Sequence, residues 1–166
     1  MQILNALEYS ETPVKDLFSY IFFRDFNFGE DEEQQTKLLT PDEINEIEAD
    51  IPVAWSDEEI MFGHELINRT IENAKNLDAL IQDFAEHWEL ERIALIDKIL
   101  MQIALTELLD FPEIPNKVSI NEAIEIAKAY STSKSGIFIN GVLDSLLTKF
   151  KEEGKITKKG RGLNES

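Results

Sequence analysis

Six basic side chains crowd the stretch LTKFKEEGKITKKGRGL: Lys149, Lys151, Lys155, Lys158, Lys159 and Arg161, opposed there only by Glu152 and Glu153. Lysine and arginine neutralise phosphates wherever they cluster, so this run predicts attraction for a nucleic-acid backbone without regard to base sequence. Read only as the end of a chain, the same run is a solubilising, frayed tail. Bond-breaking chemistry has far less to draw on. His64 and His87 stand too far from other ligating or acid-base residues to announce a metal site or a general base, and the absence of cysteine removes disulfides and thiolate metal sites. No glycine-rich phosphate loop, metal-ligand spacing or nucleophile-base signature appears. The residues therefore predict a binding protein without cofactor rather than an enzyme.

The formal charge of the 166 residues is -17, which alone would argue against a polyanionic partner. Its distribution changes that reading. Residues 1–115 hold seven basic side chains against twenty-seven acidic ones, whereas residues 116–166 hold nine against six. Contact with nucleic acid is expected from the C-terminal part, and the acidic part is expected to meet protein. There is no apolar run of about eighteen residues, and MQILNALEYSETP lacks the basic start and cleavage pattern of a signal peptide. These features predict a cytoplasmic protein with no membrane contact.

Helix signals run along nearly the whole chain, and strand alternation is scarce. Thr12-Pro13 places a capping hydroxyl before a proline and predicts a helix over VKDLFSYIFFRDF. The acidic GEDEEQQTKLL reads as a loop, and Thr40-Pro41-Asp42-Glu43 as the start of a short helix that Pro52 ends. Ser56 with Glu59 forms a capping box ahead of DEEIMFGHELINRTIENAK, after which NLDALIQDFAEHW reads as a further amphipathic helix. LERIALIDKILMQIALTELLDF is the most hydrophobic segment and predicts the central helix, with Ile93, Ile96, Leu100, Ile103 and Leu108 on roughly one face. Pro112 and Pro115 force a turn, Ser119 with Glu122 reads as another capping box, and a last helix runs from near Ser135 to about Glu153 with Gly154 as its stop. The expected fold is an all-α bundle of about seven short-looped helices.

Several residues inside these helices need a reason. Gly136 and Gly141 each cost about 1 kcal/mol against alanine in a helix, and close crossing of a neighbouring helix is the expected compensation. Asn140, between them, is expected to be buried and paired. Asp97 interrupts an apolar helix, so it is expected either to pair with a base from another helix or to lie on a solvated stripe. Trp55 and Trp88 have no interleaved basic residues and read as packing anchors rather than stacking platforms for bases.

The order of elements in the C-terminal half resembles the NusB transcription antitermination family. The resemblance rests on Ala104-Leu105-Thr106-Glu107-Leu108, Ile114-Pro115, the run Lys117-Val118-Ser119-Ile120-Asn121-Glu122-Ala123-Ile124-Glu125-Ile126-Ala127-Lys128, and Phe138-Ile139-Asn140-Gly141-Val142-Leu143-Asp144. It is contiguous from about Trp88 to Asp144. The resemblance implies a NusB-like helical bundle without catalysis, an RNA-binding adaptor that joins the ribosomal protein NusE on boxA-type RNA and serves the transcription elongation complex during ribosomal RNA synthesis. It also implies that Asn121, Glu122, Phe138 and Asp144 border the partner surface, with Asp144 also near the RNA.

Two departures from the family pattern are present. The first fifteen residues carry only Lys15 where short members have an arginine-rich helix, and Ile137 stands where a basic residue often precedes Phe138. Lys149, Lys151, Lys155, Lys158, Lys159 and Arg161 are therefore expected to take over the electrostatic contact with RNA. The pattern YSTSKSGIFINGVLD with the ending KKGRGL is similar to a long form of the family, of which this chain would be the C-terminal portion or a shorter relative. The expected organisation is a variable acidic helical part over 1–55, a NusB-like core over 56–153 and a basic tail over 154–166. Two alternatives stand beside the leading reading: the NusB-like RNA-binding domain of a ribosomal RNA cytosine methyltransferase, and a bundle that binds only protein.

Overall fold

The computed structural model describes residues 1–23, 55–85 and 93–156. In chain order these form α1 (Gln2–Leu7), α2 (Val14–Phe18) running into a π turn (Ser19–Phe23), α3 (Asp57–Phe84), α4 (Leu95–Asp110), α5 (Asn116–Tyr130) and α6 (Ser135–Glu152). The fold is all-α, and six helices with a π turn among the described residues stand close to the seven or so that the sequence predicts. The acidic loop, the helix start at Thr40-Pro41, the stop at Pro52, and His87 and Trp88 lie outside the described residues.

Helix α3 begins where the sequence says it should. Ser56 Oγ accepts the Glu59 backbone N–H, and the Glu59 carboxylate accepts the Ser56 N–H at 2.8 Å, which satisfies two otherwise orphaned donors. Donation from the Ser56 backbone and hydroxyl holds the Glu59 carboxyl below its ordinary range. The helix does not break after Lys75 into a second one but continues to Phe84. No glycine or proline interrupts residues 70–84, and Ile67, Thr70, Leu77 and Ile81 continue one buried stripe through the expected break.

Other boundaries also shift. Residues 2–7 form a short helix that the sequence reading passes over, and its Ile3 and Leu4 are buried. Pro13, not Thr12, caps α2, while the Thr12 hydroxyl bonds Ser10 instead. Helix α5 starts at Asn116, so the capping box expected of Ser119 and Glu122 is absent. The Pro115 carbonyl accepts from Val118 at 2.9 Å and Ser119 at 3.3 Å and starts the helix one turn earlier. Ser119 is consequently inside the helix, buried, with its hydroxyl lacking a partner, and Glu122 is exposed. Gly154 ends α6 as expected: at φ 64° it turns the chain so that Lys155 N–H reaches the Phe150 carbonyl at 2.9 Å and Gly154 N–H the Lys151 carbonyl at 3.2 Å.

Two hydrophobic cores meet at α4. On one side Leu100, Met101, Ala104, Leu105 and Leu108 pack with Leu77 and Ile81 of α3, Ile120, Ala123 and Ala127 of α5, and Ile139, Val142, Leu143, Leu146 and Phe150 of α6. On the other, Ile99 joins Ile3, Leu4, Leu17, Phe18 and Ile67, with Leu95 and Ile103 against them. The central position expected of this segment is therefore correct. A polar seam fixes α3 against α4, with Thr70 Oγ1 3.1 Å from Thr106 Oγ1 and Gln102 Nε2 donating to Asp78 Oδ1 at 2.6 Å. Asp97 follows neither expected course. It is 6 % exposed, in the first turn of α4, and its Oδ1 has no hydrogen-bond partner.

The two glycines of α6 separate cleanly. A Cβ on Gly136 would sit 3.4 Å from Ile124 Cγ2 and 3.8 Å from Lys128 Cγ, so close approach to α5 accounts for that position. A Cβ on Gly141 would meet nothing within 4 Å, and the packing explanation fails there. Asn140 likewise faces solvent rather than the core. Gly136→Leu should overpack the α5–α6 contact and cost about 1–3 kcal/mol, whereas Gly141→Ala should stabilise by up to about 1 kcal/mol. Chemical denaturation of both variants checks the pair, and equal effects would refute the distinction.

Candidate interface for protein and RNA

The outer face of α6 carries Ile137, Asn140, Gly141, Asp144 and Thr148, all exposed and recurring at helical spacing. The inner face is committed to the core through Ile139, Val142, Leu143, Leu146 and Phe150, so this register admits no other orientation. Ile137 is 80 % exposed, which costs an aliphatic side chain its burial and leaves an anchor point at the N-terminal end of the stripe. Asn140 Nδ2 donates to Asp144 Oδ2 at 3.0 Å, Ser145 Oγ to the Gly141 carbonyl at 2.8 Å, and Thr148 Oγ1 to the Asp144 carbonyl at 2.9 Å. These bonds lay short polar side chains along the helix and leave a low surface with bare backbone at Gly141. Another chain can approach such a surface closely.

The remaining residues expected at the partner surface do not share one patch with Asp144. Asn121 and Glu122 are exposed on α5, and Glu122 edges a wide, mainly apolar cavity of about 510 Å³ bordered by α1, α3 and α4. Phe138 lies instead over a smaller cavity of about 270 Å³, with Ile93, Ala94, Asp97, Thr132, Lys134 and Ser135. The α5–α6 turn above it is held by Ser135 Oγ, which pairs with Thr132 Oγ1 at 2.8 Å and accepts the Thr132 N–H at 3.2 Å. The sequence reading missed Thr132, Lys134 and Ser135. Their short polar types between two helices were the available signal, and it also reads as a plain turn.

Of the basic cluster, Lys149, Lys151 and Lys155 are described, and Lys158, Lys159 and Arg161 lie outside the described residues. Lys149 Nζ sits 4.9 Å from the centre of the Phe84 ring, which pins α6 to the end of α3 by a cation–π contact. Lys155 Nζ pairs with Glu153 Oε2 at 2.6 Å and lies 5.9 Å from the Phe150 ring centre. Lys151 is exposed on the last turn of α6. Trp55, 41 % exposed, packs on Phe22 at 5.1 Å, and the His64 ring stacks on Phe18 at 3.5 Å between centres, both at the edge of the smaller core. Among the described residues there is no group of histidines and carboxylates that could hold a metal ion, and no helix is long and apolar enough to cross a membrane.

A family model described as the NusB family matches residues 21–148, which include the whole of α3 to α5 and the outer stripe of α6. The chain belongs to the NusB family. Over 102 residues it is 48 % identical to the transcription antitermination protein NusB of Salinibacter ruber, covering 61 % of this chain and 64 % of that one. Over 102 residues it is 51 % identical to the protein of the same name from Chloroherpeton thalassium, covering 61 % of this chain and 48 % of that one. The matched region thus spans less than two thirds of the length of these two relatives. A solved structure titled T. maritima NusB superposes with a TM-score of 0.57 at 32 % identity, over 84 % of this chain and 90 % of that one. This NusB-family chain therefore shares the family fold through the region that carries Phe138 to Asp144.

The charge arrangement at the end of α6 gives a direct test. The Lys155 ammonium, by hydrogen bond first and charge second, holds the Glu153 carboxyl below its ordinary range. In Lys155→Gln that carboxyl should titrate higher, toward the ordinary glutamate range. Carboxyl NMR across the acidic range checks it, and an unchanged midpoint would show that the pair does not persist in solution.

Proposed function

We propose that this chain is a transcription antitermination adaptor of the NusB type, which acts without catalysis in the cytoplasm. In this reading it joins the ribosomal protein NusE on boxA-type RNA and works with the elongation complex during ribosomal RNA transcription. The observation that carries the proposal is the identity of 48 % and 51 %, each over 102 residues, to proteins named transcription antitermination protein NusB, beside a family match over residues 21–148. The outer stripe of α6 supports it physically. Exposed Ile137 and the uncovered backbone at Gly141 cost stability without any return inside the fold.

The division of labour follows from charge. Lys151, Lys155, Lys158, Lys159 and Arg161 supply phosphate attraction, since residues 1–115 are too acidic to do so. Asn121, Glu122, Phe138 and Asp144 are assigned to partner contact from separate patches: Asp144 on the outer stripe of α6, Phe138 over the cavity beside Ala94, and Asn121 and Glu122 on α5. A second reading, a bundle that binds protein only, draws on the net charge of -17.

A titration with boxA-type RNA, with and without NusE, at two salt concentrations decides between them. The proposal expects RNA to bind the NusE complex with clear salt dependence. Binding of NusE but never RNA favours the protein-only reading, and binding of neither by folded protein overturns the proposal. Neutralising Lys151, Lys155, Lys158, Lys159 and Arg161 together should flatten the salt dependence by several phosphate contacts, each worth about one unit of logarithmic slope. Asp144→Asn should weaken NusE or RNA binding while unfolding within about 0.5 kcal/mol of the parent protein, as expected for an exposed substitution.

A further inference from the structure

A second apolar surface, which shares no residue with the α6 stripe, lies where the N-terminal half of α3 meets the turn after α4. Met61 is 71 % exposed and Phe62 38 %, and between them and Phe111 runs an open groove of about 620 Å³. The groove floor is aromatic. Phe62 meets Phe111 edge to face at 5.4 Å, and the Arg69 guanidinium lies 5.5 Å from the Phe111 ring centre. Arg69 is itself held by Glu65 at 2.6 Å and Asp110 at 3.8 Å, so this cation is already matched by two carboxylates. Glu58, Glu65 and Glu113 line the edges, and Asp57 adjoins them in the first turn of α3. Phe111 follows the C-terminal end of α4, whereas Phe138 lies beside Ala94 at its N-terminal end. The 16 residues of α4 separate the two places by about 24 Å at 1.5 Å per residue.

An exposed methionine and phenylalanine over an aromatic floor form an adaptable anchor pocket, and carboxylates around it select the sign of what enters. A polyanion is repelled there. A second copy of the chain would bring an identical acidic rim and the same net charge of -17 against the first. We propose that this groove docks a cationic amphipathic segment of another protein, which places one aliphatic or aromatic side chain between Met61, Phe62 and Phe111 and lysine or arginine over Glu58, Glu65 and Glu113. Helix-in-groove docking of this kind uses apolar anchors at helical spacing with charge at the flanks. The surface is separate from the one assigned to NusE and RNA and does not depend on that assignment.

The test uses the full chain and a synthetic peptide with leucine on one helical face and lysine on the other, against a scrambled peptide of the same composition that has no apolar face. The amphipathic peptide should bind about tenfold more tightly than the scrambled one, a difference read directly from the two dissociation constants. Met61→Ser should reduce its affinity to that of the scrambled peptide. Tyr9→Ser, at an exposed aromatic position elsewhere, should leave it unchanged. Methyl NMR should place the peptide at Met61, and because Met61 is exposed its variant should keep the parent unfolding midpoint. Equal binding of the two peptides, indifference to Met61→Ser, or methyl shifts that spare Met61 would overturn the proposal. So would a concentration-dependent dimer abolished by Met61→Ser, which would give the groove to a second copy.

Discussion

Helix α4 has no solvent side to spare, and the rest of the architecture follows from having to cover it. Leu100, Met101, Ala104, Leu105 and Leu108 look toward α3, α5 and α6, while Ile99, Leu95 and Ile103 look toward α1 and α2. A helix that is apolar all round is stable only when enclosed, so its neighbours must present matching stripes from both directions. Of the few polar groups inside that enclosure two pairs serve alignment, whereas the buried Asp97 Oδ1 has no hydrogen-bond partner among the described residues. Thr70 with Thr106 and Asp78 with Gln102 set α3 against α4, and a slip along the axis would leave them unpaired.

Covering α4 also decides which surfaces remain available. Helix α6 gives its inner face entirely to the core, so its outer face carries whatever recognition the helix performs. The residues there are not those that would maximise helix stability: a glycine without a packing neighbour, an exposed isoleucine, and short polar side chains tied back to the helix. At the other end of α4, the turn through Phe111 leaves a groove whose acidic edges differ in kind from the small polar α6 stripe. One buried helix thus holds two chemically distinct surfaces at a fixed separation.

Much of the fold was legible from local chemistry. The Ser56–Glu59 box, the Gly154 stop and the central place of α4 each have one dominant physical cause, and each is as the sequence implies. The misplacements occurred where two causes compete. At α5 both Pro115 and Ser119 can start a helix, and the earlier start is the one formed, with Asn116 and Ser119 buried in its first turn. The sequence reading divides the segment after Lys75, yet the buried stripe through Leu77 and Ile81 carries α3 across that point. For the site, sequence placed Phe138, Asn140 and Asp144 on one helix, yet Asn140 and Gly141 face outward where the reading put them inward. Which face of a helix is free depends on what its neighbours cover, and that information is not local.

Family membership, the committed inner face of α6 and the unreturned cost of its outer face support the central proposal, in which α6 is the surface offered to a partner. Backbone amide NMR of the full chain, with NusE added, tests that claim most directly. The account predicts the largest shift changes at Ile137, Gly141 and Asp144, with residues of the α4 core such as Leu105 little affected. Binding of NusE that leaves those three amides unmoved and perturbs a different face of the bundle would contradict it.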